Sequence, residues 1–287
     1  MDVVRTDDAA SFLELAGPFA RGDAGRDEGR NQLVLGIAAN AAAGRRGFSP
    51  FVGWVVVDPD PAAAAVRTPP KNVVISDPVS DEAIAALVDT LVADAREAPG
   101  VTGNVPAVDR FVHEWTSRTR ERATVTVAQG AWELNAVEDV VRPPGGAEPA
   151  TLDDVDLVTS WFIDFETEAT PHGPPERDEV RAAIQERLAQ DDAGSWLWRV
   201  DRVPVSLAGF AGPTGTGIRI GPVYTPPEHR RRGYATALVA DVSSHLLASG
   251  YERCFLYTDL ANPTPGRIYA TIGYRQIAQS KMLAFER

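Results

Sequence analysis

The stretch Thr216–Ala248, TGIRIGPVYTPPEHRRRGYATALVADVSSHLLA, admits few backbone arrangements. Ile218, Ile220 and Val223 make a short apolar run of strand character, and Pro226 and Pro227 stop it from continuing as a central, fully hydrogen-bonded strand. From Gly233 the apolar positions Ala235, Leu238, Val239, Val242 and Leu246 recur at helical spacing, which predicts an amphipathic helix ending near Gly250. The chain therefore passes from strand to helix through a basic, glycine-containing turn. A helix start leaves its first N–H groups unpaired and carries about half a positive charge. Arg230, Arg231 and Arg232 lie beside this one, and Gly233 and the small Ala235 let a ligand approach the backbone closely. The turn predicts a site for the diphosphate of a phosphate-bearing cofactor.

Charge and composition narrow the partners. A net charge of −12 over 287 residues argues against nucleic acid as the main partner, because phosphate backbones need a basic face. With 44% hydrophobic and 24% charged residues the chain reads as a globular protein of one large or two ordinary domains. The start, MDVVRTDDAASF, has no basic segment followed by an apolar one, and no run reaches the roughly 18 apolar residues of a membrane span. A cytoplasmic protein without a membrane partner is the expectation. Cys254 is the sole cysteine, which excludes an intrachain disulfide and a CxxC site; inside the apolar run CFLY it reads as a buried, inert thiol. His113, His172, His229 and His245 show no HExxH spacing, so no metal is expected.

Helical spacing marks residues from about 7 to 20 and 27 to 45, while 51–57 and 71–76 read as a hairpin-like pair of strands joined by a connection, DPDPAAAAVRTPP, that is partly loop. A helix from Asp81 to before Pro99, another over about 105–120 and a strand over 123–134 complete the first half. Val141–Pro149, rich in Pro and Gly, is the expected linker. Beyond it come helices at about 152–168 and 176–190, strands at 195–200 and 204–210, and the turn GPTGTG over 212–217. That turn lacks the G-K-[ST] ending of a phosphate loop. The Thr216–Ala248 stretch follows, then a strand at 253–258, a helix at 263–272 and strands around 274–277 and 281–285.

The segment Arg230-Arg231-Arg232-Gly233-Tyr234-Ala235 resembles the R/Q-x-x-G-x-G/A signature of the GNAT (GCN5-related) N-acetyltransferases, and Asn262–Tyr274, NPTPGRIYATIGY, resembles a second segment of that family. The resemblance is strong over about 217–274. It implies an α/β (α+β) fold of two GNAT-like domains, each a mixed, mostly antiparallel sheet flanked by helices: a degenerate domain over 1–140, a linker over 141–149 and an acetyltransferase domain over 150–287. Nothing in the first half matches the signature; Arg45-Arg46-Gly47-Phe48 follows a helix rather than a strand.

The resemblance also implies acetyl-CoA as co-substrate. Backbone groups of Val223, Tyr224 and Thr225 would hold the pantetheine arm. Arg230, Arg231, Arg232, Gly233, Tyr234, Ala235 and Thr236 would hold the diphosphate, with Asn262 nearby. Tyr269 matches the family's general acid, and a phenol of ordinary pKa about 10 can return a proton to a thiolate whose conjugate acid lies near 8.5. For the base, the carboxylates near element ends are Glu166, Glu168, Glu228 and Asp259, of which Glu166 is nominated, with water as an alternative. Pro265-Gly266 departs from the small or polar pair usual in the family. The expected reaction is direct acetyl transfer to a primary amine, with a small molecule preferred over a protein; the alternative is a non-catalytic acyl-CoA-binding regulatory module. A homodimer remains open.

Overall fold

A computed structural model of the chain describes residues 1–95, 97–169 and 175–286. The first half runs β1 (Asp2–Thr6), α1 (Ala9–Arg21), α2 (Gln32–Ala42), β2 (Val52–Val57), β3 (Pro61–Arg67), β4 (Val73–Ile75), α3 (Asp81–Asp94), β5 (Gly100–Asn104), α4 (Ala107–Thr119) and β6 (Arg122–Leu134). The second half repeats that order as β7 (Gly146–Pro149), α5 (Val155–Ala169), α6 (Arg177–Leu188), β8 (Gly194–Val200), β9 (Val203–Ala211), β10 (Gly217–Tyr224), α7 (Tyr234–Ala248), β11 (Arg253–Asp259), α8 (Pro263–Ile272) and β12 (Arg275–Glu286). β4 pairs with β5, and β10 with β11, in parallel; the neighbouring pairings are antiparallel. The architecture is thus a mixed, mostly antiparallel sheet flanked by helices, built twice.

The two halves share one 12-stranded sheet in the order β1-β2-β3-β4-β5-β12-β6-β11-β10-β9-β8-β7. Each half lends its last strand to the other. β12 enters between β5 and β6, and β6 enters between β11 and β12, so that reading inward from either edge gives the same sequence of ranks.

Several elements differ from the sequence-based expectation. Most of the Ala-rich connection is strand β3, which lies between β2 and β4, so those two are not a hairpin pair. Ala63 and Ala65 face the core formed with α3 and α4, while Ala64 and Val66 face the core formed with α1 and α2. A strand buried on both faces has no polar alternation to reveal it. Gly146–Pro149, inside the expected linker, is edge strand β7, where Pro149 is tolerated at the strand end. β1 and β5 were not expected, and the two strands expected near the end of the chain are one strand, β12, with register shifts at Gln276/Ala278 and Met282/Leu283.

Polar contacts also join the halves. Glu28, fully buried, accepts hydrogen bonds from the Thr214 hydroxyl, the Thr216 N–H (2.9 Å), the Thr216 hydroxyl (2.7 Å) and the Gly217 N–H (2.8 Å). Arg45 pairs with Asp192, and the Arg46 N–H donates to Glu186 at 3.2 Å, so the loop after α2 is clamped to the end of α6. No described helix is long and apolar enough to cross a membrane.

Candidate active site

β10 ends at Tyr224, and the prolines that stop it lead through a single 3-10 turn (Pro227–His229) to the start of α7. Arg231 (φ 61°) and Gly233 (φ 83°) both adopt left-handed backbone there. A Cβ built on Gly233 would meet nothing nearer than Pro143 at 4.0 Å, so the space above this residue is open. Among the described residues no acceptor takes the N–H groups of Arg231, Arg232, Gly233, Tyr234, Ala235 or Thr236; the first N–H bonded onward is that of Ala237, to the Gly233 carbonyl at 3.1 Å. Arg231, Arg232 and Gly233 are exposed. The result is a row of unspent donors at the positive end of a helix, which suits an anion.

The three arginines divide their tasks. Arg230 reaches back to α5, where its Nη2 meets both Glu168 oxygens at 2.8 Å, its Nε donates to the Thr225 carbonyl at 2.8 Å, and its guanidinium lies 5.8 Å from the centre of the Tyr224 ring. Hydrogen bonding to Glu168 raises its pKa further. Arg230 braces the turn rather than offering a free side chain. Arg232 donates to the Glu228 carbonyl at 3.1 Å.

Beside this turn the sheet opens. β10 and β11 pair over Gly217–Arg219 and Arg253–Phe255, and their described pairing goes no further. A bulge between Ile220 and Val223 bends β10 away along β9, while β11 continues along β6 to Asp259. The edge of β10 from Gly221 to Tyr224, with Thr225, borders this gap. The Tyr224 carbonyl already accepts from Ser206 Oγ at 3.2 Å and the Thr225 carbonyl from Arg230, which leaves Val223 as the member of the expected trio whose carbonyl takes no side chain among the described residues.

Tyr269 sits on α8 in the core beneath α7, its ring edge-on to Tyr274 with centres 5.9 Å apart, and Tyr274 in turn shares a 2.9 Å hydrogen bond with Ser243. Burial pushes the Tyr269 phenol well above its ordinary pKa, so it stays protonated. Asn262 is exposed just before α8, its N–H bonded to the Asp259 carbonyl at 3.2 Å. Glu166 lies on α5, half-buried; burial raises its pKa and Lys71, from the turn between β3 and β4, opposes the rise. The α7–α8 layer and the α5–α6 layer cover opposite faces of the sheet, so Tyr269 and Glu166 stand on opposite sides of it. Of the other carboxylates, Glu168 is held by Arg230 and Asp259 accepts from the Ala261 N–H at 2.8 Å. His229 carries a buried Nδ1 with no partner, and His172 lies outside the described residues. Cys254 is fully buried, and burial pushes its thiol up to about 12.

Two arginines not singled out in the sequence are buried nearby: Arg187 on α6 rests at Gly209 of β9, and Arg219 stands on β10 where it still pairs with β11. Their only signal is the alternation Ile218-Arg219-Ile220, which turns Arg219 away from the α7 core.

The matching corner of the first half carries acidic side chains where the second half carries arginines, beside a cavity of about 330 Å³ bordered by Asp81, Ile84, Asp109 and Arg110. There the helix start is capped by Ser80 Oγ, accepting from the Ala83 N–H at 3.2 Å, and Asp81 and Glu82 stand in the first turn, with Glu82 held below its usual pKa by its own backbone N–H. Beside β4 and β5, Arg30 pairs with Asp77 at 2.5 Å, and Asn104 donates to Asp77 at 3.0 Å and to the Arg30 carbonyl at 2.7 Å. These side chains leave a cavity of about 10 Å³, about room for one water.

Residues 156–274 match the sequence profile of the acetyltransferase (GNAT) family. In fold the chain is similar to a GCN5-related N-acetyltransferase from Sphaerobacter thermophilus, with 16% identity, 98% of this chain and 94% of that one covered, and a TM-score of 0.62. It is also similar to a tandem GNAT protein from the clavulanic acid biosynthesis pathway, with 12% identity, 99% and 98% covered, and a TM-score of 0.59. A GCN5-related N-acetyltransferase from Kribbella flavida gives 17% identity, 78% and 86% covered, and a TM-score of 0.55. No curated protein matches in sequence.

Proposed function

We propose, from the premise that residues 156–274 are a domain of the acetyltransferase (GNAT) family, that the protein moves an acetyl group from acetyl-CoA directly to a primary amine of a small molecule, in its second half. The observation that carries this is the run of six unspent N–H groups from Arg231 to Thr236 under an open Gly233, next to a gap in the sheet. Those donors fit a diphosphate, with the Thr236 hydroxyl and the exposed Arg231 and Arg232 within the same turn. When bound, acetyl-CoA supplies an activated thioester. The free edge of β10 at Val223 orients an extended chain toward the gap.

The net change is one C–N bond made and one C–S bond broken, with one proton leaving the amine and one reaching the sulfur. Tyr269, kept protonated by burial, holds the proton for the sulfur on the α8 side. Glu166, whose pKa burial raises above its ordinary value, receives the amine proton on the α5 side, directly or through water. The buried thiol of Cys254, pushed up to about 12, favours direct transfer over an acyl-enzyme. The serine cap and acidic first turn of α3 support one acetyl-CoA per chain.

Calorimetric titration of acetyl-CoA, followed by thiol release with a panel of amines, tests this. One binding event per chain and amine-dependent thiol release are expected. Absence of binding sinks the reading; binding with no amine-dependent release favours the non-catalytic acyl-CoA-binding module.

A further inference from the structure

Arg187 and Arg219 occupy a crevice between the halves. On one side Arg187 rests against the sheet at Gly209 and Gly221, and on the other Arg219 approaches α2 beside Gly212 and Asn40. The Arg187 guanidinium lies over Gly209, where a Cβ would stand 3.1 Å from Nη1, 2.9 Å from the Gly221 carbonyl oxygen and 3.2 Å from Pro222 Cδ. The absence of a side chain at 209 is what lets a guanidinium rest against the sheet beside the bulge that opens the gap. Arg219 reaches toward α2: a Cβ on Gly212 would lie 3.9 Å from Arg219 Nη2 and 3.3 Å from Asn40 Nδ2. Tyr257, two residues beyond Phe255 on β11, bears on the Arg219 charge.

Among the described residues this cluster has no counterion. Among the described residues no carboxylate stands within 4.0 Å of either guanidinium, and Arg187 Nη1 is shut off from solvent with no hydrogen-bond partner. Burial and the neighbouring charge of Arg219 press Arg187 down to about 10, and burial also lowers Arg219. Both remain cations at neutral pH. Two like charges sunk together with an unmet donor are costly to keep unless something negative joins them. The acidic groups nearby are engaged elsewhere: Glu186 meets Arg46, Asp192 meets Arg45, and Glu166 faces Lys71.

We propose that Arg187 and Arg219 form the seat for a carboxylate on the acceptor, so that the amine this protein acetylates is an amino carboxylate. The inference rests on the transferase reading and specifies the substrate class of that site. A guanidinium offers a planar fork that matches a carboxylate. The position of Arg187 beside the Gly221–Pro222 bulge sets the charged end of the acceptor at the mouth of the β10–β11 gap, which leaves the amine end to enter it. The overall charge of −12 points toward cationic acceptors; the charge inside this crevice has the opposite sign.

Matched amine pairs test the assignment on the wild-type protein: amino acids against the amines left by their decarboxylation, and 2-aminoethyl phosphate against 2-aminoethanol. Carboxylate-bearing members should exceed their partners in kcat/KM by about 100-fold or more. In Arg187→Gln and Arg219→Gln that ratio should collapse toward unity while acetyl-CoA affinity is kept, and Arg187→Lys, which retains charge without the fork, should fall between. Equal rates within pairs, or a preference confined to the phosphate, overturn the proposal, as does a ratio that survives both substitutions. Should acetyl-CoA bind and no amine be turned over, the transferase reading fails and the melting temperature decides the crevice separately. A rise with glutarate in wild type that is lost in Arg219→Gln supports the carboxylate seat, and no rise in wild type removes it. If a Gln variant fails to fold, the wild-type pairs and Arg187→Lys still discriminate.

Discussion

A guanidinium buried without a carboxylate is a stability cost carried for another purpose, and Arg187 shows that cost as a sealed, unpaired Nη1. Arg187→Met should therefore stabilise the unliganded protein by about 1–2 kcal/mol in chemical denaturation, while lowering kcat/KM for its best acceptor. Glu166 makes a second residue-scale claim. Burial raises its pKa, so the acidic limb of kcat/KM should rise through a pH above the ordinary carboxylate range, and Glu166→Gln should lose that limb. Because its folded pKa lies above the unfolded one, protonated Glu166 favours the folded state fully below the unfolded pKa, and the contribution is lost as pH climbs through the folded value. The stability of Glu166→Gln relative to wild type should accordingly grow with pH across that window. Tyr269→Phe should reduce kcat and leave acetyl-CoA affinity intact; unchanged turnover would make Tyr269 a packing residue. Arg231 to Thr236 are legible from sequence because a helix start is a local event. Arg187 and Arg219 are not, because an arginine on a helix reads as solvated until the sheet and α2 close over it.

At the scale of elements, two helix starts of the same rank behave oppositely. The α7 start has a left-handed glycine and unspent donors, whereas the α3 start has a serine cap and two acidic residues in its first turn. Gly233→Ala forces an L side chain into φ 83° at a cost of about 1 kcal/mol, and a cramped donor row should weaken acetyl-CoA binding by calorimetry about tenfold. Ser80→Gly, which removes the α3 cap, should create no second acetyl-CoA site, since Asp81 and Glu82 still repel an anion. Helices α3, α4, α6 and α7 follow from their periodic apolar faces to within a few residues of the expected ends. β3 escapes that reading because both of its faces are apolar. β5, Gly100–Asn104, escapes because its sequence, GVTGN, resembles a turn and becomes a strand where β4 and β12 flank it.

Across the whole molecule the exchange of β6 and β12 makes the halves interdependent. β6 is bonded on one side to β11 along Gln129–Leu134 and on the other to β12 along Arg122–Glu133, so removing either half strips strands from the other. The Pro-rich stretch 141–149 looks like a domain boundary along the chain, yet it separates nothing in the sheet, because strand pairing at long range is not written in local composition. Glu28 adds a buried polar tie from the first half to the 214–217 turn, four donors meeting one carboxylate. Glu28→Ala leaves those donors buried without an acceptor and should cost about 3 kcal/mol. If the halves were independent, that loss would lower one of two calorimetric transitions and leave the other in place. A shared sheet instead requires one transition whose midpoint shifts as a unit, with the van't Hoff enthalpy matching the calorimetric one in wild type and variant alike. Two resolved transitions would show that the exchanged strands do not couple the halves.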